Sequence, residues 1–256
     1  MKNYIIIPVH NQLEHLKKCV SSVEKLTNNY EMVIVDDGST DIETTKWIIS
    51  HINSYKIINP VATGFSKACN KGISFVKENF DYNFICLLNS DTEIIIEDWL
   101  NIIDKEISKI DNPGVGSVVS NNAGSQTIEN VSEYLKTIES RKTYECVLAH
   151  GFCFIMTKNV IENLGLLDEI DFPHYGSEDD YALYSSKNGF SNFLISKILV
   201  LHHASASYTM ERRKALVSKS YPDLVKKWTQ ELVQSASREI NGINRILNSV
   251  IDLKKK

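Results

Sequence analysis

Short apolar runs alternate with helical periodicity through the first 120 residues of the chain. Tyr4–Pro8 is brief, rich in isoleucine and closed by proline, which predicts a buried strand. Leu13, Leu16, Cys19, Val20, Val23 and Leu26 then recur at helical spacing, so Leu13–Leu26 is expected to be a helix with one face in the core. The alternation continues with a strand at Met32–Val35 and a helix, capped by Thr40 or Asp41, that carries Trp47, Ile48 and Ile49. A strand at Tyr55–Ile58, a helix over Phe65–Lys77 and a strand at Phe84–Leu88 follow. A helix near Asp98–Ile110 and a strand at Val115–Val119 complete this half.

Beyond residue 120 the pattern weakens into polar residues and a short helix. It resumes with the apolar run Val147–Met156, a helix ending at Gly165, and an acidic loop and helix at Ser177–Lys187. Strands near Phe193–Ile195 and Ile198–Leu201 lead into His202-His203, and Pro222–Ile251 reads as a helix or helix pair. Alternation of this kind implies right-handed crossovers and an α/β fold, a mostly parallel Rossmann-like sheet flanked by helices with a helical C-terminal tail. Ligands of such sheets sit at the carboxyl ends of the strands, which singles out the loops after Ile7, Val35, Ile58 and Leu88.

Composition narrows the class. With 43% hydrophobic and 23% charged residues, 5 Pro and 11 Gly, the chain is an ordinary globular protein rather than a disordered or repetitive one. No apolar run reaches the roughly eighteen residues of a transmembrane helix. Pro8, His10 and Asn11 break the N-terminal apolar stretch, so no signal peptide is expected. A net charge of −4 argues against a nucleic-acid partner. The five cysteines (Cys19, Cys69, Cys86, Cys146, Cys153) form no CxxC pair and read as reduced core thiols, hence a cytoplasmic expectation. Arginine occurs only at 141, 212, 213, 238 and 245. A phosphate held by the first half would therefore need backbone dipoles, lysine or a metal to offset its charge.

Four clusters carry chemistry. Asp36-Asp37-Gly38-Ser39 ends a strand; it suits an Asx-type turn, and equally two carboxylates accepting from a base N–H and ribose hydroxyls. Asn89-Ser90-Asp91 ends another strand, as a solvent-exposed turn or as a carboxylate holding Mg²⁺ or Mn²⁺ with a diphosphate. Gly176-Ser177-Glu178-Asp179-Asp180 opens a helix, where acids complement the dipole or one of them serves as general base. His202-His203 closes a strand. Neighbours on a strand point to opposite faces, so one of the two is expected to reach a site.

Together these pieces resemble an inverting, GT-A-fold glycosyltransferase of family 2, of the kind that extends bacterial surface polysaccharides such as O-antigen or capsule. The resemblance covers residues 4 to about 210. It rests on Pro8-Val9-His10-Asn11-Gln12, Val33 through Asp41, Gly64 through Gly72, Leu87 through Glu93, Gly165 through Glu169, Glu178-Asp179-Asp180-Tyr181 and His202 through Ser207. It implies that Pro8, His10 and Asp37 line the nucleotide base with Asp36 beside them, and that Gly64 and Asn70 shape the donor pocket. Asn89 and Asp91 form the DXD-like pair, with Asp91 the metal ligand, Asn89 or Ser90 near ribose, and His202 or His203 a further ligand. His202 fits the family spacing better. The base is one of Glu178, Asp179 and Asp180, Asp179 first and Glu178 next. Three departures stand out: His10 replaces an aromatic, asparagine opens the DXD-like motif, and the arginine that often follows the acidic motif is missing near Tyr184.

The reading is one GT-A domain with a nucleotide-sugar-binding half at 1–120, an acceptor-binding half at 121–210 and a loop with helical tail at 211–256. The reaction is a single displacement moving a sugar from a nucleotide-diphosphate donor to a glycan or lipid-linked acceptor hydroxyl, with Mn²⁺ or Mg²⁺. Arg212 and Arg213, in Tyr208–Lys214, are expected to close over the diphosphate. The tail packs on the core or on a second subunit; Lys254-Lys255-Lys256 leave a membrane-surface role, at the inner face, as the other reading. Two alternatives stand: a sugar nucleotidyltransferase, whose glycine-rich, arginine-containing phosphate loop is missing, and a catalytically inactive sugar-binding relative, which predicts loss of Asp91 or the acidic triplet.

Overall fold

Ile5, Ile6 and Ile7 are all fully buried, which is why the first apolar run is continuous and does not alternate. They lie at the centre of β1 (Lys2–Val9), which pairs in parallel with β2 (Tyr30–Asp36) on one side and β4 (Tyr82–Leu88) on the other. β3 (Tyr55–Ile58) pairs in parallel outside β2 and forms one end of the sheet. The computed structural model describes residues 2–203 and 210–252.

Beyond β4 the order departs from a simple parallel sheet. Only Asn89, Ser90 and Asp91 separate β4 from β5 (Thr92–Ile94), yet β5 pairs with β9 and not with β4. β8 (Cys153–Thr157) lies antiparallel beside β4, and β6 (Pro113–Ser120) is antiparallel to β8. β9 (Ser191–His202) runs parallel to β6 and carries both β5 and the short β7 (Thr143–Glu145) as antiparallel neighbours. The two strands expected around 193–201 are this one strand. Its register against β6 jumps from Val118↔Ile195 to Val119↔Leu199, so Ser196–Ile198 bulge out. One sheet thus takes strands from both 1–120 and 121–210.

Helices cover both faces. α1 (Leu13–Leu26), α2 (Ile42–Ser50) and α4 (Trp99–Ile107) pack on one face through Leu16, Val20, Ile48, Trp99 and Ile103. α3 (Phe65–Asn79), α6 (Lys158–Leu164) and α7 (Ser177–Lys187) pack on the other. A single turn, α5 (Val131–Leu135), sits in the polar stretch. The tail is α8 (Met210–Trp228) and α9 (Gln230–Asp252), starting earlier than its sequence pattern indicates and carrying Pro222 inside α8. Its apolar stripe (Leu224, Trp228, Val233, Ala236, Ile240, Ile243, Leu247) joins the core of its own chain. The Asn248 side chain donates to the Thr127 carbonyl and accepts from the Glu129 N–H, fixing α9 on the polar stretch. Lys254–Lys256 lie outside the described residues. Among the described residues, no helix is long and apolar enough to cross a membrane.

Candidate active site

The carboxyl ends of β1, β2, β4, β6 and β9 converge, and antiparallel β8 begins at the same end because Leu88 pairs with Cys153. A cleft of about 430 Å³ opens there. The loops after β1, β2 and β3 shape one side of it. Asn11 and Gln12 both adopt left-handed backbone (φ 60° and 63°), turning the chain sharply after β1. Asn11 Oδ1 accepts from the Thr40 and Asp41 N–H groups, and the Asn11 N–H donates to Ser39 Oγ. These bonds tie the loop after β1 to the loop after β2. Gly38 (φ 66°) lets the backbone of Val61 approach so closely that any Cβ would collide with it.

Adjacent Asp36 and Asp37 have opposite fates. Asp36 turns away from the cleft: its carboxylate accepts from the Ser39 N–H and Thr45 Oγ1 and serves the turn. Asp37 lines the cleft. Its Oδ1 accepts from Asn59 Nδ2, the Thr63 N–H and Thr63 Oγ1, while Oδ2 accepts only from the Gly64 N–H. His10 Nδ1 lies 2.9 Å from the Asp37 carbonyl; the carbonyl can only accept, so Nδ1 carries the hydrogen and the ring is fixed at the rim. Pro8 stands beside it.

Also on the cleft, the β5–β9 ladder pairs Thr92 with His202, and the His203 N–H donates to the Asp91 carbonyl. That register brings His202 Nε2 to 3.3 Å from Asp91 Oδ1. The imidazole is held from behind, with Nδ1 donating to the Asn122 carbonyl (2.7 Å) and the ring stacked on Phe152. Nε2 is therefore the nitrogen presented to Asp91. Asn89 and Ser90 line the cleft beside them. His203 points to the other face, toward Glu93 and His15. The strand pleat thus selects His202.

Glu178 and Asp179 reach the cleft from the first turn of α7. Burial pushes Glu178 up to about 7 and Asp179 up to about 6. Glu178 lies over Gly151, where an added Cβ would meet its carboxyl group. Asp180 faces away and clamps the tail, accepting from Trp228 Nε1 (2.5 Å) and Lys227 Nζ (2.9 Å). Gly64 (φ 101°) and Asn70 stand behind the wall. A Cβ on Gly64 would strike the Pro173 carbonyl, and Asn70 holds the Leu167 N–H and carbonyl. Asp36, Gly64, Asn70, Asp180 and His203 therefore stand outside the cleft, which Pro8, His10, Asp37, Asn89, Ser90, Asp91, Glu178, Asp179 and His202 line. Arg212 and Arg213 lie on α8, their side chains outside the described residues, as is 204–209.

The sequence reading misses Asn122, Gly124 and the His150-Gly151-Phe152 segment, all of which line the cleft. Burial pushes His150 down to about 4, so it stays neutral, with Nε2 2.8 Å from Ser125 Oγ. The one sequence signal for this segment is Gly151 standing immediately before the β8 run.

Glu178 gives a stability prediction. Its folded value, about 7, lies above the ordinary 4.5, so the proton-binding contribution is full below pH 4.5 and is lost as pH rises through 7. Glu178→Gln removes that loss. The variant should be more stable than the parent at pH 8, by about 1–3 kcal/mol, and the gap should vanish near pH 4.5. Denaturant unfolding at the two pH values checks this.

Comparison with known proteins agrees with the architecture. The model of the family described as glycosyl transferase family 2 matches residues 4–165. The chain is 26% identical over 250 residues to the glycosyltransferase GlyA of Streptococcus pneumoniae, covering 92% of this chain and 34% of that protein. Among solved structures it resembles GalNAc-T7 with UDP, GalNAc and Mn²⁺ (TM-score 0.64, 17% identity, 91% of this chain and 49% of that one). It also resembles the mannosyltransferase PcManGT of Pyrobaculum calidifontis in complex with GDP-Man and Mn²⁺ (TM-score 0.62, 15% identity, 92% and 73%). At these identities the structural likeness shows the fold. The chain spans about a quarter to a third of the length of the first curated relatives it matches.

Proposed function

The chain belongs to glycosyl transferase family 2, and we propose that it moves a sugar from a nucleotide-diphosphate donor to a hydroxyl of a glycan or lipid-linked acceptor, with inversion, in surface-polysaccharide synthesis. The observation that carries the reading is that the Asp91–His202 pair and the acids Asp179 and Glu178 line one cleft.

Asp179 takes the proton of the acceptor hydroxyl as that oxygen forms its bond to the anomeric carbon. The bond from the anomeric carbon to the diphosphate breaks in the same step, so no covalent sugar–enzyme intermediate is needed. The donor set suits a hard divalent cation. One carboxylate oxygen and one imidazole nitrogen 3.3 Å apart match adjacent ligands of an octahedral ion, which stand about 3 Å apart. Such an ion would be Mn²⁺ or Mg²⁺, held by Asp91 and His202 with Ser90 or Asn89 nearby, and it would neutralise the departing diphosphate. Among the described residues no third histidine, cysteine or acid completes a metal cluster, which leaves coordination positions for phosphate oxygens and water.

Asp37 favours a donor base. Its Oδ1 already accepts three hydrogen bonds and its Oδ2 one, leaving a single acceptor position. That position fits the one imide N–H of uracil or thymine. Guanine would bring two adjacent donor groups and leave one unpaired, at a cost of about 1–3 kcal/mol.

The test is release of nucleoside diphosphate from a panel of UDP-, dTDP- and GDP-sugars, with Mn²⁺ and with chelator. Uridine or thymidine donors turned over only with metal support the reading; no turnover of any donor under either condition, or metal-independent pyrophosphorolysis, overturns it. The rate should also titrate. A base near 6 must be ionised to act, so kcat/KM should fall about tenfold per pH unit below 6 and level off above it. A profile flat from pH 4 to 8 would remove Asp179 from that role.

A further inference from the structure

Five large aliphatic side chains are exposed at the β3 end of the sheet, on α2, β3 and the segments that follow them. Ile42 is 64% exposed, Ile49 60%, Ile52 88%, Ile58 40% and Val61 65%. Their grouping follows from the helix and the strand. On α2 the buried Thr44 and Ile48 face the sheet, while Trp47 and His51 lean toward α1, where His51 meets Glu24. Ile42 and Ile49 are seven residues apart, so they share one stripe, on the side of α2 turned away from α1. Ile52 lies in the turn just beyond the end of α2. On β3, Tyr55 stacks against Phe75 and Phe80 on the α3 side, and Ile57 packs into the same cluster. The pleat therefore puts Ile58 on the α2 side, beneath the stripe. Val61 follows β3, its backbone pressed on Gly38 at the end where α2 begins.

We propose that this α2–β3 edge is the contact through which two copies of the chain form a two-fold dimer. The five side chains leave roughly 500 Å² of apolar surface in one patch, at the upper range of what a monomer exposes. Two copies together bury about 1,000 Å² from these residues alone, the size at which a specific interface becomes credible. A dyad needs a self-complementary patch, and a stripe of aliphatic side chains meets its own copy without opposing charges. The flanking charges balance: Asp41 and Glu43 against Lys46 and Lys56, with Glu43 and Lys46 already paired. A patch with no basic excess has no electrostatic attraction to anionic lipid, so a second copy is favoured over a membrane. Lys56 and Pro60 guard the open strand edge, so the contact is side-chain packing across the dyad rather than an extended ladder. The C-terminal helices, their apolar stripe buried in their own core, are not needed for it.

Sedimentation equilibrium of the purified chain between 1 and 100 µM tests the proposal. The parent is expected to reach the mass of a dimer. The double variant Ile49→Lys, Ile52→Lys should remain monomeric, its dissociation constant raised at least about 100-fold, with unchanged circular dichroism and the unfolding midpoint the parent shows at dilutions where it is monomeric. Ile246→Lys, an equally exposed residue on α9 (50%), should leave the dimer intact. A parent that stays monomeric at 100 µM overturns the proposal, as does a folded double variant that still dimerises. A monomeric parent that co-sediments with phosphatidylglycerol vesicles, and loses that binding in the double variant, would overturn it in favour of a lipid surface. None of these readouts depends on turnover, so dimerisation and the transferase reading fail separately.

Discussion

Asp179→Asn is expected to lower turnover by about 10²–10⁴-fold, the usual contribution of a positioned general base. The substitution keeps the shape of the side chain and removes only its capacity to take a proton. Asp179 stands at the cleft surface in the first turn of α7, and it is the neighbouring Asp180 that holds Lys227 and Trp228. The fold and the tail clamp should therefore survive. Because the lost interaction belongs to the transition state, kcat should carry the loss and donor affinity should stay within about threefold. Steady-state kinetics with a saturating donor read the split. A comparable loss in Glu178→Gln, with Asp179→Asn near the parent rate, would move the role to Glu178.

Asp91→Ala has the second large effect. It removes one of the two side chains proposed to hold the cation, and metal-dependent affinity for nucleoside diphosphate should fall at least about 100-fold. The backbone contact with His203 does not need the carboxylate, because the Asp91 carbonyl accepts that bond. The β5–β9 ladder should persist and the unfolding midpoint should change little. Titration calorimetry with UDP, with and without Mn²⁺, separates the outcomes. The parent should respond strongly to Mn²⁺ and the variant weakly; a variant whose binding keeps the full Mn²⁺ response would rule Asp91 out as a ligand.

Much of this site is legible from local sequence. β1, β2 and β4 are short apolar runs buried on both faces, and each ends in the loop that carries His10, Asp37 or Asp91. Those loops are positioned by the strand before them, so local pattern suffices. Pairs of adjacent candidates are harder. Asp36 and Asp37 both end β2, and what separates them is the hydrogen bond from Thr45, nine residues on, which turns the Asp36 carboxylate away. His202 and His203 are separated by the pairing of Thr92 with His202, a contact between segments 110 residues apart. Sequence spacing anticipates His202, and the pleat supplies the reason.

What the sequence does not reveal depends on long-range pairing. The His150-Gly151-Phe152 segment reaches the cleft because β8 runs antiparallel to β4, with Leu88 opposite Cys153. An expectation of mostly parallel strands puts the start of that strand at the far end of the sheet. Asn122 and Gly124 differ: they follow β6, which runs the same way as β4, so the strand-end rule reaches them, and the sequence reading applied it only as far as the loop after Leu88. Asn70 reads as part of the donor pocket from its motif. Its amide instead holds the loop at Leu167, 97 residues away, and fixes the wall from behind.

The central claim is that Asp91 and His202 hold the cation in a donor cleft that the base also lines. The most direct measurement is anomalous diffraction at the manganese edge from crystals grown with Mn²⁺ and UDP. The account predicts one peak within about 2.5 Å of both Asp91 Oδ1 and His202 Nε2, in contact with the diphosphate. UDP bound in the cleft with the manganese peak elsewhere, or with none, would contradict it.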